Sequence, residues 1–344
     1  MPDLKTLGIQ AVAASGLQNL FSPPAEARLT TLLFHRFAFA GESWRAARDR
    51  LRRQLEWLCE HYTPVSLTQV SNGLTSGTLP RRPILVTVDD ARIDMLEVAE
   101  EFQACRIPVG LFVCVGWTAQ ASPQDADSLL ARVVSVMEWY QGPDVTLTVD
   151  GGSTGMSFGR MCRADCIDAL LTPASGLHGH LVELAEKLEG LEARSGERGI
   201  CTWDELKHLQ GLGVDIGSHS VSHVRMALAS PTRLAFEVIE GKRLLEAKLG
   251  ACPTFAYPFG TADAVSETTT RALQAAGFQS AFLTHSEFAS TGTDRHHIPR
   301  LTMPDENMSL SHFRARVVGG GIPFRRAREF LKGGARTQPD RVLR

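Results

Sequence analysis

The chain has 344 residues, 43% of them hydrophobic and 22% charged, with a formal net charge of -2. This balance excludes a weakly hydrophobic disordered chain and leaves ample material for a core. It also argues against a general affinity for nucleic acid or anionic membrane, apart from a basic C-terminal tail around Arg325, Arg326, Arg328 and Lys332.

Seven scattered cysteines, odd in number and without framework spacing, read as reduced thiols of a cytosolic protein. Cys162 and Cys166 are four apart, but no second pair completes a zinc ribbon. Met1 to Ser22 lacks a basic region followed by a sustained apolar core. Ala11-Val12-Ala13-Ala14 is too short for a signal peptide or a span. The expected location is cytoplasmic, with no transmembrane segment and an oligomeric state the sequence leaves open.

In chain order, residues 1–28 read as an N-terminal extension. Leu32-Leu33-Phe34 forms a first strand ending in His35-Arg36. An amphipathic helix follows Ser43, with Trp44, Ala47, Leu51, Leu55 and Leu58 on one face. Pro64-Val65-Ser66-Leu67 leads through a loop to the strand Ile84-Leu85-Val86-Thr87-Val88, which runs into Asp89-Asp90. The spacing of Met95, Val98, Ala99 and Phe102 predicts a helix, with Asp94 and Glu97 placed as N-cap and N3 of a capping box. A further strand covers Val109 to Val115.

From about 117 to 200 the rhythm breaks, and we expect an insertion carrying a small helical subdomain, closed by a helix over Leu177 to Leu191. The rhythm returns at Thr202-Trp203-Asp204-Glu205, a capping box, followed by strand Val214-Asp215-Ile216. Ser230-Pro231 starts a long helix that Gly250 ends. Strand Thr254 to Tyr257, a helix from Ser266 to Ala276, strand Ser280 to Leu283 and Ile298 to Leu301 complete the series. About seven strand-helix alternations predict an α/β fold with right-handed crossovers, a barrel closed or nearly so over residues 29–318, and a basic tail over 319–344.

Two features carry chemistry. Asp89 and Asp90 lie at the C-terminal end of a strand, the edge where ligands bind in open α/β sheets and barrels. Paired buried carboxylates there are costly unless a cation, a proton or hydrogen bonds stabilise them. His219 and His223 are the second feature. On an extended strand they would be about 13 Å apart, too far to share an ion. The chain must therefore turn just after Ile216, which Gly217-Ser218 permits. With one carboxylate the pair makes a two-His-one-carboxylate set that leaves positions open for water and substrate.

These stretches resemble polysaccharide deacetylases of the NodB-homology class, carbohydrate esterase family four. Thr87-Val88-Asp89-Asp90-Ala91 is similar to the family's Thr-Phe-Asp-Asp-Gly, and His219-Ser220-Val221-Ser222-His223 to its His-Ser/Thr-x-x-His. Phe255-Ala256-Tyr257-Pro258-Phe259-Gly260 resembles the third motif. Leu33-Phe34-His35-Arg36 and Ile298-Pro299-Arg300 resemble flanks of the exopolysaccharide-associated branch. The resemblance implies a distorted (β/α) barrel of about seven strands that hydrolyses N-acetyl groups on an amino-sugar polymer, oligosaccharide or precursor. It implies Asp90, His219 and His223 as ligands of a divalent ion, zinc first among candidates. Asp89 would be the general base and the Phe259 N–H an oxyanion donor.

Three departures stand out. Ala91 replaces the motif's Gly and Arg92 follows it, which is expected to crowd the mouth of the site. Ala256 stands where many members have the Arg that orients the catalytic Asp, a role Arg300 is expected to take. The late Leu-x-His motif, source of the general acid, is matched only by Leu283-Thr284-His285, with His296 and His297 as competitors. His35 is placed to line the pocket or to sit in the core. Trp117, Trp139 and Trp203 suit either sugar stacking or the core. Two other readings stay open: a hydrolase of a small non-peptide amide, and a non-catalytic carbohydrate-binding relative.

Overall fold

The computed structural model describes residues 4–21, 28–39, 41–118, 133, 145–149, 154–158, 183, 187, 199–261 and 264–327. The strands are β1 Arg28–Phe34, β2 Thr63–Pro64, β3 Pro83–Val88, β4 Val109–Val113, β5 Val145–Val149 and β6 Thr154–Phe158. They continue as β7 Val214–Ser218, β8 Thr254–Ala256, β9 Ser280–Phe282, β10 Ala289–Ser290 and β11 Leu301–Thr302.

Strands β1, β3, β4, β7, β8 and β9 pair in that order, all parallel. The segment 298–302 bridges the two ends. Ile298 pairs in parallel with Phe282, and Leu301 and Thr302 pair in parallel with Leu32 and Leu33. The bonds Ile298 N–H to Ala281 O (3.0 Å) and Met303 N–H to Leu33 O (2.8 Å) tie this last stave on both sides. The result is a (β/α) barrel of seven parallel staves, the last one split. β2 lies beside β3, and β10 runs antiparallel to the start of β1.

Residues of β1 and β3 are buried throughout, as expected of parallel strands covered on both faces. Alternate side chains meet inside the barrel, where Leu29, Leu85, Phe112, Ala256, Phe282 and Ile298 form one cluster with Leu67, Val70 and Leu74. The last three come from a helix, Leu67–Ser76, that plugs the N-terminal end of the barrel. Its sequence reads only as a short segment before β3. Ser, Thr, Asn and Gly are weak helix formers, and the helix rests on the Ser66–Gln69 capping box, the left-handed Gly77 cap and its packing. With that end filled, the C-terminal end is the open one. Outside, the Trp44–His61, Asp94–Ala104 and Trp203–Gly211 helices pack on the sheet through Leu51, Leu55, Val98, Phe102, Leu206 and Leu209.

Two local expectations are corrected. Asp94 does not cap its helix: the N-cap is Ile93, and the Asp94 carboxylate accepts the Phe37 N–H at 3.3 Å while Glu97 pairs with Arg48. Nor does the chain turn at Gly217. That residue lies inside β7, where a Cβ would stand 2.5 Å from the Phe112 ring, and the turn comes at Ser220, with φ 69°. Gly217 is small so that it can pack closely.

In the insertion, β5 and β6 form an antiparallel hairpin. Of the expected Leu177–Leu191 helix, Glu183 and Lys187 are described, both helical and paired at 2.8 Å; Trp139, Cys162, Cys166 and the tail from Arg328 onward lie outside the described residues. The chain returns at Gly199 to Cys201, where Ile200 bridges Arg92 and the Cys201 N–H bonds Ala91 O at 2.9 Å. Ala91 and Arg92 are thereby buried beneath the returning chain. The helix Leu4–Ser15 packs on Leu310–Val317. No helix among the described residues is long and apolar enough to cross a membrane.

Candidate metal centre and catalytic carboxylate

The Asp89 N–H donates to Phe34 O at 3.0 Å, prolonging the β1–β3 ladder by one residue. Asp90 and Ala91 then adopt left-handed φ values of 72° and 51°. This turn sends two consecutive carboxylates in different directions, though both are buried, at 1% and 3% exposure.

Asp90 faces the histidines. Its Oδ1 is 3.5 Å from His219 Nε2 and 3.6 Å from His223 Nε2, and the three ligand atoms lie within 4.8 Å of one another. Donors sharing a tetrahedral ion at about 2.0–2.2 Å stand about 3.3–3.5 Å apart, so these separations suit a common cation. His219 Nδ1 donates to the Ala256 carbonyl oxygen at 2.8 Å, which leaves the Nε2 lone pair directed at Asp90. Ala256 therefore acts on the site through its backbone. His223 is enclosed by Trp117 (ring centroids 5.1 Å) and Phe259 (4.7 Å). Burial pushes its imidazole well below the usual range, so the ring is neutral and ready to ligate. Burial likewise raises the Asp90 carboxyl, a pressure that a bound cation would oppose. Two imidazoles and a carboxylate are a donor set that fits zinc or a similar divalent ion.

Asp89 faces Arg300. Both its oxygens accept from the guanidinium, Nη1 to Oδ1 and Nη2 to Oδ2, each at 2.7 Å. Arg300 is fully buried, and its Nε donates to Leu283 O at 2.7 Å. Its Nη1 also reaches Thr87 Oγ1 at 3.2 Å, whose hydroxyl donates to Leu32 O at 2.7 Å. Arg300 enters the barrel from the gap between the Ile298 bridge and β11. Burial alone would raise the Asp89 carboxyl, but the Arg300 guanidinium outweighs it and holds the group at about 2. Asp89 is ionised and fixed, with Oδ2 3.7 Å from His219 Nε2.

Of the other expected residues, Phe259 sits on the rim with φ 60°, in a three-residue turn closed by Gly260 N–H to Pro258 O at 2.7 Å. Five of the seven non-glycine positive-φ residues described (Asp90, Ala91, Ser220, His223 and Phe259) gather here, where backbone strain typically marks function. His285 is on the same rim, but its imidazole stands 3.4 Å from Glu287, a carboxylate also held by Arg325 and Arg326. His296 and His297 belong to the opposite end of β9, bonded to Phe278 O and to Asp294 and Thr270 respectively.

His35 is more telling. It follows Phe34, the residue whose carbonyl receives the Asp89 amide, and it stands close enough for a proton on its ring to act electrostatically on Asp89, Asp90 and His223. Its Nδ1 lies 4.0 Å from Asp305. The sequence signal for it was a histidine ending a strand beside the Asp-Asp strand. Glu237, whose carboxylate holds the chain between the two histidines, left no signal.

The polysaccharide deacetylase family model matches residues 180–281, a stretch that includes both histidines but not the Asp pair. No curated protein matches the chain. Among solved structures, the Streptococcus pyogenes deacetylase PplD in complex with acetate is 17% identical, with a TM-score of 0.55 over 83% of this chain and 96% of that one. IcaB from Ammonifex degensii is 19% identical, with a TM-score of 0.53 over 85% and 97%. The BpsB deacetylase domain from Bordetella bronchiseptica is 15% identical, with a TM-score of 0.51 over 82% and 98%. At these identities the likeness is one of fold. At the family level the similarity covers residues 180–281, where the chain resembles polysaccharide deacetylases.

Proposed function

We propose that the protein is a metal-dependent deacetylase that removes N-acetyl groups from an amino-sugar polysaccharide, oligosaccharide or precursor, in the manner of the exopolysaccharide-associated branch. The observation that carries this reading is the convergence of Asp90, His219 and His223 beside a separate, arginine-held carboxylate, Asp89. A binder has no use for the second carboxylate, whereas hydrolysis needs a proton acceptor that is not itself a ligand.

In this reading Asp90, His219 and His223 hold a divalent ion, zinc first among candidates. Such an ion polarises an amide carbonyl and makes water a better nucleophile near neutral pH. Asp89 takes the proton of the attacking water. Arg300 grips both of its oxygens and so fixes where it points. The Phe259 N–H, presented by its strained turn, is the donor for the developing oxyanion. Proton return to the leaving amine falls to His35, next to the Asp89 strand end and within reach of Asp305, rather than to His285. Acetate release from N-acetylglucosamine oligomers, set against small amides and repeated with a chelator, tests the reading.

A further inference from the structure

We propose that Glu237 is a positioning residue that presets the His219–His223 pair for its cation, an inference that rests on the metal-centre reading above. Only Ser220, Val221 and Ser222 separate the two histidines, and this short link must bend sharply to bring both rings to one point. It does so with left-handed φ values at Ser220 (69°) and His223 (57°), which side chains rarely adopt unless the surroundings impose them.

The surroundings are specific. On one side, the Val221 carbonyl oxygen accepts from the Gly116 N–H at 2.8 Å and from the Cys114 thiol at 2.9 Å, and the Ser220 carbonyl accepts the Val115 N–H at 3.2 Å. On the other side, the N–H groups of Val221 and Ser222 both donate to Glu237 Oε2, each at 2.9 Å. The Ser220 hydroxyl oxygen accepts the His223 N–H at 3.0 Å. The link is thus clamped between the turn after β4 and a single carboxylate that is itself fully buried.

Glu237 reaches the link because its helix is locally re-registered. Residues Phe236–Glu240 form a π-turn between the α-helical segments Pro231–Ala235 and Gly241–Leu249. Such one-turn insertions are frequent at functional sites. Here the π-turn sets Glu237 inward while Phe236 and Ile239 are left 39% and 58% exposed. Gly241 completes the approach, since a Cβ there would already sit 3.4 Å from the Ser220 backbone.

The partners also explain why the residue is a carboxylate. Oε2 receives two N–H donors, and Oε1 receives Arg233 Nε–H at 2.7 Å. Only an ionised carboxylate accepts on both sides. A glutamine offers one acceptor and one donor, so it must break either the clamp or the arginine contact.

The test is zinc affinity by chelator competition, together with the visible spectrum of the cobalt(II)-loaded protein. It compares wild type with Glu237→Gln, Glu237→Asp and Arg233→Gln. Glu237→Asp keeps the charge but withdraws it by one methylene, so it serves if the glutamine variant does not fold. Either Glu237 variant is expected to weaken zinc binding by roughly 10–100-fold and to alter the cobalt spectrum, as loss of a group supporting the ligands typically does. Arg233→Gln leaves the clamp in place, and its zinc affinity should stay within about threefold of wild type, well inside that range. Wild-type affinity and spectrum in the folded Glu237 variants would overturn the proposal, as would an equal loss in Arg233→Gln. A wild-type protein that binds neither ion would overturn the metal-centre reading along with it.

Discussion

Arg300 and Asp89 are 211 positions apart in the chain, yet they meet in a buried two-point contact with both N–O distances at 2.7 Å. The guanidinium comes from the split last stave of the barrel and crosses to the end of β3. It occupies the role left open by Ala256, whose backbone carbonyl instead orients His219.

Arg300→Ala should therefore cut turnover while leaving zinc stoichiometry intact. Loss of orientation alone is worth about 100-fold in rate. Leaving Asp89 buried and unpaired should also cost about 3–5 kcal/mol of stability. Arg300→Lys should recover little of either, because a point charge cannot reproduce the fork. Steady-state kinetics, metal analysis and urea unfolding on the same samples check this. Full activity in Arg300→Ala would show that Asp89 needs no partner.

The same contact predicts an acid response in the metal-free protein. The Asp89 carboxyl is held at about 2, below its ordinary 3.8, so folding favours its ionised form. That contribution is fully present above about pH 4 and is lost as pH falls through about 2, an effect on the order of 2 kcal/mol. Urea unfolding of the chelated protein between those limits should show the slope, and Asp89→Asn should flatten it. An unchanged slope in the variant would place the titration elsewhere.

His35→Gln tests the proton donor. A general acid typically supplies 10²–10⁴-fold, so kcat should fall by about 100-fold or more with KM little changed. The alkaline limb of the rate profile, where the acid loses its proton, should vanish with it. His285→Gln should leave that limb in place. The reverse pattern would return the role to His285.

Much of this arrangement was legible because the signals are local. The strand ending in Asp89-Asp90, the spacing of His219 and His223, and Ser230-Pro231 each carry their meaning within a few residues. The seven-stave closure followed from counting alternations, and Arg300 from noticing what Ala256 lacks. What stayed hidden depends on tertiary context. The Leu67–Ser76 plug is a weak helix-former stabilised by the barrel around it. Asp94 has the sequence of a cap, but a distant amide, that of Phe37, claims its carboxylate. Glu237 looks like any helix glutamate until the π-turn sets it under the histidine link.

Gly217 gives a test of packing independent of catalysis. Its reading as a turn residue is replaced by one of close contact, since an added Cβ would lie 2.5 Å from Phe112 and 2.8 Å from Thr254 Oγ1. Gly217→Ala should destabilise the fold by about 1–3 kcal/mol, the usual range for overpacking. Unfolding curves that match wild type would show that β7 can shift away from Phe112 at no cost.

The most direct test of the central claim is acetate release from N-acetylglucosamine oligomers by zinc-loaded wild-type protein and by zinc-loaded Asp89→Asn. Wild type should release acetate, stop when chelated and recover with zinc. The variant should carry one zinc per chain yet turn over about 10²–10⁴-fold more slowly, because its amide cannot accept a proton from water. Equal turnover by the two proteins, or no acetate from folded, zinc-loaded wild type on any oligomer length, would contradict the assignment of a metal-dependent deacetylase with Asp89 as its base.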